Sequence, residues 1–254
     1  MSEKIPSTPT ESEKPRNASI VGMVSTIISV ALVMATLFTL WTPANLFSNQ
    51  MLETMFQAWQ ANPTLTYPTP TPAPRARIGI VAGHWGNDSG AVCPDGLTEM
   101  QVNLEIATRV QKELVDEGYD VDLLQEFDER LYGYVALVLV SIHNDSCSYI
   151  NDEATGFKVA AAASSLYPEK ADRLSACLVD RFAKVTNLTN HPNTITSDMT
   201  QYHTFREINS NTTAAIIETG FLNLDREILT GQPDLIAEGI TQGILCYIRN
   251  EPAP

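Results

Sequence analysis

Basic residues are scarce in this sequence. Sixteen lysines and arginines stand against 30 aspartates and glutamates in 254 residues, for a formal net charge of -14. Nucleic acids and anionic membrane surfaces are held by clustered Lys and Arg, so no nucleic-acid partner is expected, and the acidity otherwise speaks for solubility. Internal repeats at a solenoid period are missing as well. Charge is absent altogether from Ala18 to Trp41, ASIVGMVSTIISVALVMATLFTLW. That segment is long enough to cross a bilayer core as a helix. Lys14 and Arg16 precede it and the next basic residue is Arg75, so the positive-inside rule puts the N-terminus in the cytoplasm and everything after Trp41 outside. A cleaved secretory signal is the rival reading. Its apolar region would be shorter and end at a small-residue cleavage site, which favours a single-pass anchor in the cell membrane. Both readings export the rest of the chain.

What remains is ordinary globular composition, 44% hydrophobic and 18% charged, suited to one domain with an appendage. Cysteines are few: Cys93, Cys147, Cys177 and Cys246. In an exported chain they allow three pairings. Cys93 and Cys147 fall in loops after predicted strands, Cys177 and Cys246 on predicted helices. A 93–147 bridge is therefore favoured if any forms, with four reduced, buried thiols as the alternative.

The chain divides by composition. Residues 1–17 mix charge, Ser, Thr and Pro without apolar periodicity and read as a disordered cytoplasmic tail. After the apolar span at 18–41 comes a Pro-rich extracytoplasmic linker, 42–75: Asn49 to Ala61 could form a short helix, and NPTLTYPTPTPAPR, Asn62 to Arg75, places a proline at nearly every second position and reads as an extended spacer. From 76 to 254 strands and helices alternate. RIGIVAGH, YDVDLL, VALVLVSIH, GFKVAAA and TAAIIE are the predicted strands. TEMQVNLEIATRVQKELVDEG opens with a capping-box pattern, Thr98 to Gln101, repeats apolar residues at Val102, Ile106, Val110 and Leu114, and closes at Gly118. Further helices are expected over PEKADRLSACLVDRFAKV and from Pro233 to Ile248. The alternation specifies an α/β fold, a mostly parallel sheet flanked by helices on both faces and preceded by one transmembrane helix.

Open parallel sheets collect functional groups at the carboxyl ends of their strands. His84 ends the first strand, His143 ends the apolar run VALVLVSI, and Glu218 ends TAAIIE. Glu99 opens the first helix fifteen residues after His84 and so returns to the same edge. Two imidazoles and a carboxylate suffice for a catalytic zinc, with a further acid to move protons. A single strand-end histidine is more often a structural hydrogen-bonding residue; the joint occurrence of all four shifts the balance.

Together AGHWGNDSGAV, GLTEMQVNLEIATRVQKEL, LVSIHNDSC, Gly156-Phe157, and AAIIETGFLN followed by DREIL and IAEGITQGI resemble, in order, the zinc-dependent N-acetylmuramoyl-L-alanine amidases of the AmiC-like, or amidase_3, family. The resemblance covers Arg77 to Ile248. It implies that His84, Glu99 and His143 are ligands of Zn2+, that Glu218 is the catalytic glutamate, and that the substrate is the amide between N-acetylmuramic acid and L-alanine in peptidoglycan. Asn144 is a candidate oxyanion donor or simply a turn residue. His203 is a candidate substrate contact or ordinary polar packing, Trp85 a candidate surface for sugar or peptide or a loop filler. His191, beside Pro192, reads as surface. The family's usual Asp-Pro-Gly-His-Gly-Gly is here Val81-Ala82-Gly83-His84-Trp85-Gly86, which points to different support behind the first ligand. The Arg-containing helix usual before the SIH strand is shortened to FDERLYGY. No segment resembles a wall-binding repeat or an autoinhibitory helix, and no protein activator is legible. A non-catalytic wall-binding module on the same fold and a zinc peptidase for another exported amide are the competing functions; an intact Glu218 argues against the first.

Overall fold

The computed structural model describes residues 20–41, 49–60 and 75–253. The tail at 1–17 and most of the proline-rich linker lie outside the described residues. The chain separates into two units, residues 1–71 and 72–254.

In the first unit, α1 (Ile20–Trp41) contains a stretch, Gly22–Trp41, of mean hydropathy 2.2 that is long and apolar enough to cross a membrane. Its threonines hide their hydroxyls in the helix itself: Thr26 donates to the Gly22 carbonyl and Thr36 to that of Leu32, which removes their demand for other partners. Helix α2 (Asn49–Gln60) exposes Leu52, Met55, Phe56 and Trp59 at helical spacing.

The second unit is built on β1 (Arg77–Ala82), β2 (Asp120–Leu124), β3 (Val138–Asp145), β4 (Lys158–Ala161) and β5 (Thr213–Phe221), in the order β2-β1-β3-β5-β4. All pairs are parallel except β4 with β5. The residues between β2 and β3 carry the chain past β1, which lies between them. The third strand begins at Val138 rather than Val135. Val135 and Leu137 stay exposed, so apolarity alone overstated the strand there.

Side-chain alternation gives the sheet two unlike faces. Ile78, Ile80, Val138, Val140, Ile142, Ala215 and Ile217 face the core shared with three long helices: α3 (Glu99–Asp116), α4 (Pro168–Thr186) and α8 (Pro233–Ile248). Ile106, Leu114, Leu174, Leu178, Ile240 and Ile244 are fully buried there, each contributing about 1.5–3 kcal/mol of apolar burial. The helices begin and end where their caps dictate. Thr98 and Gln101 form the reciprocal capping box of α3, and Asn187 closes α4 in the left-handed conformation at φ 60°. Cys177 and Cys246 join α4 to α8 as a disulfide with a Cα separation of 5.7 Å. Cys93 and Cys147 form the other, at 5.3 Å.

The opposite face is covered by short pieces: the 3-10 turn Glu129–Leu131, α5 (Ser197–Thr200) and α6 (Thr204–Glu207), which bring Leu131, Met199, Tyr202 and Phe205 over Val81, Leu139, Ala214 and Ile216. The remaining helix, α7 (Arg226–Gly231), follows β5. His143 and Glu218 lie on this thinly covered face, by alternation with Leu139 and Ile216.

Candidate metal centre and active site

At the carboxyl end of the sheet, His84, Glu99 and His143 each present one ligand atom, all within 4.8 Å of one another. Each imidazole meets a different oxygen of the same carboxylate. His84 Nε2 lies 3.2 Å from Glu99 Oε2, and His143 Nδ1 lies 3.3 Å from Glu99 Oε1.

The backbone makes room for this approach at two glycines. A Cβ on Gly83 would sit 2.2 Å from the His143 ring, and one on Gly90, at φ +59°, would sit 2.6 Å from Glu99 Oε2. The chain leaves β1 at Ala82, so His84 stands in a turn beyond the strand end, at φ 66°. That conformation is costly for a residue with a side chain, by about 1–3 kcal/mol. It is held by the Glu126 carboxylate, whose Oε2 accepts the His84 backbone N–H at 2.5 Å.

Every member of the triad is oriented from behind. His84 Nδ1 lies 2.6 Å from Asp88 Oδ1. His143 Nε2 lies 3.3 Å from the Tyr202 hydroxyl, which in turn donates to Glu126 Oε1 at 3.2 Å. Glu99, at the start of α3, accepts the backbone N–H groups of Ala91 and Asn144 and the Asn103 amide. Asn144 is buried with its side chain committed, donating to Asn103 Oδ1 at 2.7 Å and accepting from Thr219 at 2.6 Å.

These contacts set the charges. Burial opposes ionisation of Glu99, but the bonds from His143 and His84 outweigh it and hold the carboxyl well below its usual range. The bond to Glu99 pushes His84 up to about 9 against the cost of its burial. Glu218 is different. It is paired in register with His143 across β3 and β5, and its buried Oε2 has no hydrogen-bond partner among the described residues. Burial pushes its carboxyl up to about 7.

The other residues singled out in the sequence lie one step away. His203 stacks on Phe127 with centroids 4.2 Å apart, places Nε2 3.5 Å from Glu126 Oε1, and meets Glu207 through Nδ1 at 3.0 Å. Trp85 is partly buried against the main core. His191 is not a free surface residue: it is partly buried and its Nε2 lies 2.5 Å from the Thr155 carbonyl. The loop it occupies folds back on the β3–β4 connection, a long-range contact that local polarity does not reveal. Sequence reasoning missed Asp88, Asn103, Glu126 and Tyr202. Asp88, four residues after His84, is the one that local spacing could have suggested.

A family model described as N-acetylmuramoyl-L-alanine amidase, Amidase_3, matches residues 78–246. Solved structures share the fold. The CwlD amidase of Clostridioides difficile, solved in complex with the GerS lipoprotein, is 22% identical with a TM-score of 0.57, covering 69% of this chain and 100% of that one. The amidase AmiC2 of Nostoc punctiforme is 25% identical at a TM-score of 0.55, covering 68% and 97%. An N-acetylmuramoyl-L-alanine amidase from Clostridium difficile 630 is 23% identical at 0.56, covering 71% and 100%. No curated protein matches the chain. The family match spans more than half of the sequence, and the chain therefore belongs to the N-acetylmuramoyl-L-alanine amidases of the Amidase_3 family, hydrolases of the amide between N-acetylmuramic acid and L-alanine in peptidoglycan.

Proposed function

We propose that His84, Glu99 and His143 hold a catalytic zinc ion and that Glu218 is the general base and acid of the amidase. The observation that carries this reading is the convergence of two imidazole nitrogens and one carboxylate oxygen within 4.8 Å, beside an acid whose buried Oε2 has no hydrogen-bond partner among the described residues. The donor set suits zinc rather than calcium or magnesium, which take oxygen ligands. Asp88 and Tyr202 occupy the outer nitrogens of the two histidines, which leaves His84 Nε2 and His143 Nδ1 turned inward. A zinc ion held there supplies Lewis acidity, polarising the amide carbonyl and making water a better nucleophile.

The protein's own part is proton transfer and positioning. Glu218 takes a proton from the attacking water as its oxygen bonds to the lactyl carbonyl carbon. It then gives a proton to the nitrogen of L-alanine as the carbon–nitrogen bond breaks, freeing a carboxylic acid on the sugar and an amine on the peptide. A carboxyl lifted by burial to about 7 is matched to both halves of that cycle near neutral pH. Asn144 acts by fixing Glu99 and Asn103, and Glu126 by holding the strained His84 backbone and, through Tyr202, the ring of His143. His203 and Glu207 in turn brace Glu126 and its neighbours.

The N-terminal helix supports membrane attachment, with the tail cytoplasmic, residues 42–75 as a tether and the catalytic domain, 76–254, facing the wall. Tethering raises the effective concentration of the domain at its substrate. Incubating the metal-stripped protein with peptidoglycan, with and without added zinc, tests the catalytic reading. Mass spectrometry is expected to find free stem peptides beginning at L-alanine with zinc alone; fragments cut elsewhere, or equal release after metal removal, would reject it.

A further inference from the structure

Beside Glu218 the rim opens into a cavity of about 350 Å3, walled by Asp145, Lys158 and Phe221 at the strand ends and by Ile150, Glu153 and His191 from the loops. Lys158 is the unusual member. An ammonium is seldom buried, yet this residue is only 8% exposed. Its charge is paired with Asp145, and it lies 5.6 Å from the centroid of the Phe221 ring. Among the described residues the Asp145 carboxylate is the one polar contact of the ammonium, which has three donors to place.

Strand register fixes where this charge lies relative to the reaction. His143 pairs with Glu218 across β3 and β5, and Glu218 pairs with Lys158 across β5 and β4. Directly paired residues point to the same face of a sheet, so His143, Glu218 and the buried lysine form a row along one strand-end level. Two strand spacings put the Lys158 backbone about 10 Å from that of His143. An extended chain covers about 7 Å in two residues, and a side group covers the remainder.

Resting on the amidase reading, we propose that this cavity is the subsite for the second residue of the stem peptide, with the Lys158 ammonium binding that residue's free carboxylate. The glycan next to the cleaved bond offers hydroxyl and acetamido groups without charge. The stem carries, one residue beyond L-alanine, a D-glutamate joined through its γ-carboxyl, which leaves its α-carboxylate free. A buried ammonium opening into a cavity complements the peptide side, not the glycan side. Asp145 holds the ammonium in place while the cavity is empty, and a substrate carboxylate then shares it. Stems whose α-carboxylate has been amidated lose this ion pair and bury a neutral amide against the charge.

The test uses the full-length, zinc-loaded protein and two soluble muropeptides that differ only at that position, D-isoglutamate against D-isoglutamine. Release of the stem, followed by mass spectrometry, gives kcat/KM for each. A preference of about ten- to a hundredfold for the carboxylate form is expected, the size of a charge-assisted hydrogen bond. In Lys158→Gln the ratio should fall to about one, and in Lys158→Arg the preference should return. Equal cleavage of both substrates by the unaltered protein would overturn the subsite while leaving the amidase reading intact. Cleavage of neither would reject the amidase reading and the subsite with it. The unaltered protein decides the question even if Lys158→Gln fails to fold.

Discussion

Two groups stand side by side on the rim and are treated in opposite ways. At the triad, His84 leans on Asp88, His143 on Tyr202, and Glu99 accepts three N–H bonds. One strand over, Glu218 Oε2 is buried and has no partner among the described residues. The difference follows from the work proposed for each. A ligand must hold one geometry, which bonds to its outer atoms enforce. An acid that shuttles protons must not have its charged form fixed by donors, because those would depress its pKa and end its use as an acid. The same desolvation that bonds overcome at Glu99 is left to act at Glu218.

Several perturbations separate the two arrangements, and they differ in how strongly they act on metal affinity. Gly83→Ala is the most severe, since its Cβ would lie 2.2 Å from the His143 ring. Metal binding followed by calorimetry is expected to be lost, and with it activity. Tyr202→Phe removes the hydroxyl between His143 and Glu126. Weakening of metal binding by about 10–100-fold is expected, typical for an outer partner of a ligand, while the far-ultraviolet circular dichroism stays native.

Acidity comes next. In the metal-free protein Glu99 raises His84 from an ordinary 6.5 to about 9, so at pH 7 the ring is protonated and a metal must displace that proton. Affinity should climb by about tenfold per pH unit below 9 and level above it, and titrations in buffers of different ionisation enthalpy should register the released proton. The sign for folding is the reverse. A pKa raised in the folded state stabilises fully below 6.5 and the benefit is lost as pH rises through about 9. The melting temperature of the metal-free form should thus fall between those values. Least connected to the site is the Cys177–Cys246 bridge between α4 and α8. Replacing both by serine should cost about 2–4 kcal/mol in denaturant unfolding and leave metal affinity within about twofold, because additive, distant changes do not couple.

How much of this was legible in the sequence depends on the range of the interaction. The alternation of strands and helices, the Thr98–Gln101 capping box and the helix from Pro233 to Ile248 are local, and the fold class follows from them. His84, His143 and Glu218 could be brought to one rim because strand ends in an open sheet converge, and Glu99 because it follows so closely in the chain. What supports them is not local. Glu126 reaches His84 from 42 residues away, and Tyr202 reaches His143 from 59. No periodicity encodes such contacts. The antiparallel direction of β4 was equally hidden, since a short apolar strand reads the same in either direction, and with it the register that sets Lys158 beside Glu218. Asn144 shows the converse: a residue suited by type to touch substrate is buried and bonded to Asn103 and Thr219.

The proposed contrast between the braced triad and Glu218 is tested most directly by Glu218→Gln, measured for zinc binding and for stem-peptide release on the same preparation. Zinc affinity and stoichiometry equal to the unaltered protein, with turnover reduced by about 10²–10⁴-fold, is the expected result for a general base and acid. Turnover near that of the unaltered protein, or loss of zinc along with turnover, would contradict the division of labour between Glu218 and the triad.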